Sequence, residues 1–320
     1  MDVVSDAIAA VRVGRPSSNR LRAGGEWCAR FPPYEGAGFH VVLEGSCWLL
    51  PDGGGSPVSL GVGDAVLLPH GIGHVMADAP AGAEAVARAV PFEEWERRLP
   101  AQPPGPGVEL LCGKYRLDRS RTHPLMAELP QVVHLPHRVG HHPELRSAIE
   151  LLGGELAEPR PGTAIVLPGL LDLLLVYMVR SWMAGAGGGS VAGGGAGSGH
   201  GAGPGPGSGA WPAALGDPVA AAALRALHDD PAAPWSNDRL AAAAGVSRPT
   251  LARRFTALVG RPPMAYLTWW RLTLAARLLR DTAEPLAAVA RRVGYGTPYA
   301  LSHAFSREFG TTPGRYRAAA

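Results

Sequence analysis

Two stretches of this 320-residue chain decide its fold: VSRPTLARRFTALVGRPPMAYLTWWRL (Val246–Leu272) and AVARRVGYGTPYALSHAFSREFGTTPGRYR (Ala288–Arg317). They echo one another. Ser247, Leu251 and Phe255 recur 50 residues later as Thr297, Leu301 and Phe305. A short Ala-rich segment ending in glycine precedes each set, Leu240–Gly245 and Leu286–Gly294. Each unit therefore reads as a helix, a glycine turn and a capped second helix. Ser247 and Thr297 suit N-caps because their hydroxyls accept from free N–H groups of the first turn. Pro298 fits a first helical residue. The Leu/Phe pairs at i and i+4 turn each second helix inward. Between the units, Met264–Arg280 contains no breaker and reads as one long helix that fixes their spacing. Two second helices about 34 Å apart would enter successive major grooves on one face of DNA.

Charge supports a polyanion partner. Residues 211–320 hold 14 Arg against 7 acids, a net of +7, whereas the whole chain is +3, leaving residues 1–210 at −4. A solvated arginine surface would give the same count, so the repeat, not the charge, decides the reading. Hydrophobic content of 46% excludes a wholly disordered chain. Three cysteines, Cys28, Cys47 and Cys112, are too few for a disulfide framework and suggest a reducing cytosol. The N-terminus lacks the pattern of a signal peptide. The apolar run from Ile165 to Met183 is interrupted by Pro168, Asp172 and Arg180, which argues against a membrane span.

The last 100 or so residues resemble the DNA-binding domain of the AraC/XylS family of bacterial transcription regulators. The second stretch carries the more specific part of that likeness, through Gly294, Tyr295, Leu301, Ser302, Ala304, Phe305, Arg307, Phe309, Gly310, Pro313, Tyr316 and Arg317. On the first recognition helix, Leu251, Phe255 and Leu258 take the core face. Pro249 and Arg253 then face away, with Arg248 and Ala252 on the flanks. Arg253 is the candidate base reader, since a guanidinium can grip guanine O6 and N7 together; a phosphate contact or a free surface arginine are the alternatives. On the second recognition helix the resemblance implies contacts from Pro298, Tyr299, Ser302 and His303. His303 stands where relatives often carry arginine. Arg307 suits a phosphate contact.

Upstream, FHVVLEGSCWLLPDG and PVSLGVGDAVLLPHGIGHVM read as short strands and turns. Gly63, Pro69, Gly71, His74 and Asp78 resemble the second cupin motif, with Asp78 where asparagine is usual. His40 and Glu44 keep the spacing of the first motif, but its preceding histidine is replaced by Gly38. On a strand, His40, Val42 and Glu44 share a face, so His40, Glu44 and His74, with Cys112, are the candidate ligands for zinc or another divalent transition metal. The alternatives are a retained fold without metal and a redox response of Cys112 with Cys28 or Cys47. Leu110–Asp118 and His123–Pro136 resemble the subgroup that joins a cupin-like sensor to an AraC-type reader. His70, His134, His137, His141 and His142 lie among Pro and Gly and read as surface.

The expected fold class is thus α+β and multidomain. A cupin-like β-barrel sensor spans 1–140, a helical hairpin 141–184, a Gly-rich linker 185–210 and an all-α tandem helix–turn–helix domain 211–320. The hairpin is a candidate dimerisation element because its second helix is too apolar for a lone surface helix. The expected function is a non-enzymatic, cytoplasmic, sequence-specific regulator. Its partners would be double-stranded DNA, an unknown small effector, a second copy of the chain and RNA polymerase, with no membrane. A metal-dependent cupin dioxygenase or isomerase, and a co-regulator acting through protein contacts alone, are the competing classes.

Overall fold

Branched and aromatic residues interleaved with turn formers make strands of the region after residue 16. The computed structural model describes residues 2–80, 82–87, 89–98, 107–117, 123–138, 141–187 and 210–319. After helix α1 (Val3–Val11) come β1 (Ser17–Gly24), β2 (Cys28–Phe31), β3 (Ala37–Glu44), β4 (Cys47–Pro51), β5 (Val58–Leu60), β6 (Ala65–Leu68) and β7 (His74–Ala77). Then follow α2 (Ala83–Ala87), β8 (Val90–Pro91), α3 (Phe92–Arg98), β9 (Gly107–Tyr115), α4 (Pro124–Ala127) and β10 (Val133–Leu135). The strands form two five-stranded sheets, ordered β1-β9-β3-β6-β10 and β5-β4-β7-β2-β8. Leu21, Val42, Leu49, Leu68, Met76 and Leu110 belong to one buried cluster drawn from both sheets. Asp78, the divergent position of the second cupin motif, is structural: its Oδ1 accepts from the Trp27 N–H at 3.0 Å.

The helical hairpin forms as expected from α5 (Pro143–Ala157) and α6 (Thr163–Gly187). The second helix starts earlier than the sequence suggests: α6 is continuous from Thr163, with Pro168 inside it. Pro168, in the second turn, removes the hydrogen bond to the Ala164 carbonyl without ending the helix. Among the described residues α6 is the one helix long and apolar enough to cross a membrane. Leu171, Leu174, Leu175, Met178 and Val179 are buried along it, while Ile165 is 82% and Leu173 46% exposed. Of the predicted linker, residues 188–209 lie outside the described residues.

The remainder is all helix: α7 (Ala210–Gly216), α8 (Pro218–Asp229), α9 (Asn237–Ala243), α10 (Arg248–Val259), α11 (Pro263–Asp281), α12 (Leu286–Arg292), α13 (Pro298–Phe309) and α14 (Pro313–Ala318). Both expected N-caps are present. Ser247 accepts from the Thr250 N–H at 3.4 Å and Thr297 from the Ala300 N–H at 3.1 Å. Gly260 and Gly310 end α10 and α13 in the left-handed conformation that glycine adopts without steric cost. The 19-residue α11 is about 28 Å long at 1.5 Å per residue. Leu251, Phe255, Leu301 and Phe305 are all buried.

The chain divides into two compact units whose boundaries depart from the sequence expectation. One holds residues 12–120 and 129–195. The other joins 196–320 with two distant segments, 1–11 and 121–128. Thus α1 and α4 belong with the helical unit. Their polar anchor is a buried chain of hydrogen bonds. His123 Nδ1 accepts from the Leu125 N–H at 3.1 Å, so its Nε2 carries the hydrogen and donates to the Tyr266 hydroxyl at 3.1 Å. That hydroxyl donates to His228 Nε2 at 2.8 Å, and His228 Nδ1 donates to Asp6 Oδ2 at 2.9 Å. All four side chains are buried.

Candidate functional site: two recognition helices and a barrel cavity

On α10, burial of Leu251, Phe255 and Val259 leaves Arg248, Pro249, Ala252 and Arg253 exposed together. The neighbouring Arg254 is different. It pairs with Asp217, the N-cap of α8, and so helps fix α10 in the unit. Arg248 lies 3.4 Å from Asp238, both side chains well exposed, a geometry that is weak in water and free to exchange for phosphate. On α13, Pro298, Tyr299, His303 and Arg307 are exposed and Ser302 half-buried. Tyr299 is 81% exposed, unusual for so large an aromatic side chain. Tyr299, Ser302, His303 and Arg307 line one surface groove with Ser306. All the sequence-predicted DNA contacts except the half-buried Ser302 are thus exposed on their helices. Arg271 does not join them: its guanidinium donates to the Pro231 and Ala233 carbonyls at 2.7 and 2.8 Å.

The barrel brings His40, His74 and Cys112 together. Strands β3 and β9 are antiparallel neighbours, with His40 directly opposite Cys112. His40 Nδ1 lies 3.0 Å from Cys112 Sγ, and His40 Nε2 lies 2.8 Å from His74 Nε2. The hydrogens follow from the last link. His74 Nδ1 lies 3.1 Å from the Ile72 carbonyl, which can only accept, so Nδ1 donates and Nε2 is left as acceptor. His40 Nε2 then donates to His74, and His40 Nδ1 accepts from the Cys112 thiol. The result is a one-way chain, thiol to imidazole to imidazole to carbonyl. Burial, and then the nearby His74 ring, hold His40 well below the ordinary histidine range. Burial lowers His74 to about 4, against smaller opposing effects of the Ile72 carbonyl and Asp52. Both rings are neutral at physiological pH.

Of the two residues that could complete a site with His40 and His74, Cys112 lies beside them and Glu44 does not. A register shift between Val42 and Glu44 breaks the alternation of β3, and Glu44 is exposed while His40 is buried. Cys112 meets the ring nitrogen of His40 opposite the one facing His74, so in this arrangement the three donors do not point to one spot. The 2.8 Å between the two Nε2 atoms is a hydrogen bond; two nitrogens at 2.0–2.1 Å on one tetrahedral ion stand roughly 3.3 Å apart. Among the described residues no three His, Cys, Asp or Glu side chains are grouped to hold a metal ion. The absent first-motif histidine also has a physical explanation. A side chain on Gly38 would collide with the Tyr34 hydroxyl, which occupies that space.

These three residues line a cavity of about 440 Å³ together with Phe31, Tyr34 and Phe92. Phe31 stacks on His74 (centroids 4.9 Å, 4° between planes) and on Phe92 (4.4 Å, 22°). The Tyr34 hydroxyl is buried and has no hydrogen-bond partner among the described residues. Tyr34, Phe31 and Phe92 were missed in the sequence. Only the empty motif position at Gly38 hinted that another side chain fills the site. The other histidines behave as read or hold loops: His134 and the His137 N–H both reach Asp64, and His70 Nε2 donates to the Leu129 carbonyl.

Comparison with known proteins decides the family. Residues 2–184 match the family model described as Cupin, and residues 240–319 the one described as Helix-turn-helix domain. A Streptomyces antibioticus protein named as an AraC-like transcription regulator is 35% identical over 99% of this chain and 98% of its own. The chain is an AraC-like transcription regulator. The HTH-type transcriptional regulator MtrA of Neisseria gonorrhoeae is 29% identical over 99% of the chain and 98% of its own length. The DNA-binding domain of AdpA, solved with a target DNA, is 38% identical, covers 32% of this chain and 92% of its own, and has a TM-score of 0.31. This AraC-like protein is a non-enzymatic, DNA-binding regulator that joins a cupin-like domain to a helix–turn–helix domain. The comparisons give no support to a cupin dioxygenase or isomerase.

Proposed function

We propose that this AraC-like regulator reads an operator with α10 and α13, and that its barrel cavity binds the small effector controlling it. The observation carrying the first part is the shared outward placement of Arg248, Pro249, Ala252 and Arg253 on one helix and of Tyr299, His303 and Arg307 on the other. Arg253 reads a base, Arg248 and Arg307 neutralise phosphate, and Tyr299 packs against sugar or a thymine methyl. With His303 in place of a guanidinium, α13 contributes less to specificity than α10. The protein works in the cytoplasm as a homodimer joined along the exposed apolar face of α6, at Ile165, Val166 and Leu173, and meets RNA polymerase at the promoter. Footprinting on the chain's own upstream region tests the reading. A protected site lost in Arg253→Ala supports it; equal, sequence-independent binding by both proteins overturns it.

A further inference from the structure

We propose that the barrel cavity takes a small, planar, conjugated carbonyl electrophile, of the quinone or enone class, and that Cys112 captures it covalently. The inference deepens the effector-site reading and rests on it.

Three independent features of the cavity select this chemistry. First, the Cys112 Sγ lies 3.0 Å from an imidazole acceptor, His40 Nδ1. The other two cysteines are poorly placed to act as nucleophiles. Burial, and then Asp78, raise the Cys28 thiol, and burial with Asp64 pushes Cys47 up to about 12. A neutral His40 with its Nδ1 lone pair on the thiol is a general base in position, and His74 with the Ile72 carbonyl fixes its tautomer, as an orienting group does beside other activated nucleophiles. Second, the cavity wall is aromatic. The stacked Phe92, Phe31 and His74 rings offer parallel faces to a flat π-system and little to a flexible aliphatic chain. Third, the Tyr34 hydroxyl is a buried donor with no acceptor among the described residues. Leaving it so costs free energy, and a ligand carbonyl oxygen would satisfy it.

The step balances without an oxidant. The thiol proton passes to His40 Nδ1 as Sγ forms a bond to the β-carbon. The C=C π pair moves to the carbonyl oxygen, which accepts from Tyr34. The proton on His40 then returns to the adduct, at the α-carbon of an enone or at oxygen of a quinone. The net change is addition of S–H across the conjugated system. Because the resting pair is neutral, the thiol stays quiet until an electrophile is bound against it.

The test treats full-length protein at pH 7 with one equivalent of N-ethylmaleimide, or of 1,4-benzoquinone, followed by quenching, digestion and mass mapping. The expected result is first modification at Cys112, with Cys28 and Cys47 intact, and a second-order rate at least tenfold lower in His40→Gln. Hydroquinone, flat but not electrophilic, should slow the reaction by occupying the cavity. The near-ultraviolet circular dichroism of H40Q shows whether it is folded. Should it unfold, Tyr34→Phe, which removes one oxygen, is used instead and should be several-fold slower with benzoquinone. First modification of Cys28 or Cys47, an inert Cys112, or equal rates in the folded variant would overturn the proposal. Operator footprints of untreated protein report on the regulator reading separately.

Discussion

Acidification should weaken the barrel through His74, and by an amount the structure fixes. The folded barrel holds His74 neutral down to about pH 4 because its ring is buried against Phe31 and hydrogen-bonded at both nitrogens. In the unfolded chain the ring titrates near 6.5. Since the folded-state value lies lower, the unfolded state binds the extra proton. Stability is therefore full above about pH 7 and falls as pH drops from 6.5 towards 4. At pH 5 this linkage amounts to about 2 kcal/mol for His74 alone, and to almost nothing at pH 7. With a urea slope of about 1–3 kcal/mol per molar, the midpoint of the barrel transition should move down by roughly 1 M. The assay compares urea unfolding of the full chain at pH 7 and pH 5 with that of His74→Asn, which cannot titrate. The variant starts weaker but should lose about 2 kcal/mol less on acidification. Equal acid losses in the two proteins would refute the assigned neutral relay.

Further outcomes follow from named contacts. Arg253→Ala should cost about 1–3 kcal/mol of operator affinity, or roughly 5- to 150-fold, and relax specificity at one base position; Arg307→Ala should weaken binding to all sequences alike and flatten its salt dependence, as measured by mobility shift at several salt concentrations. Leu173→Arg on the exposed face of α6 should shift the sedimentation profile from dimer to monomer without changing helix content. Asp6→Ala leaves the buried His228 Nδ1 donor without an acceptor, so thermal unfolding should show a loss of about 1–3 kcal/mol. Tyr266→Phe should cost comparably by removing the hydroxyl that joins both histidines.

What the sequence revealed depended on whether the signal was local. Ser247, Leu251 and Phe255, with their copies 50 residues on, lie within single helices, so periodicity and capping located both helix–turn–helix units. His40 and His74 were legible because strand alternation sends them inward. Glu44 was misplaced because one irregularity after Val42 reverses that alternation, and nothing in the residues themselves announces it. Cys112 was found by type, but its position opposite His40 is a matter of register between strands 72 residues apart. Tyr34 was invisible for another reason: it is only four residues from Gly38, but no period in that loop places its hydroxyl over the glycine. The assignment of α1 and α4 to the helical unit is non-local in the extreme, with Asp6 and His228 separated by 222 residues.

That last arrangement bears on how such regulators can be re-engineered. A graft made by cutting at the glycine run and attaching a foreign sensor would deprive the reader of Asp6 and His123, exposing Tyr266 and His228 to solvent. The chain is punctuated for modular exchange yet stitched against it, because the N-terminal helix and the short turn at His123 travel with the reader. A working chimaera would have to carry those two pieces along, or replace the polar seam with residues that need no mate.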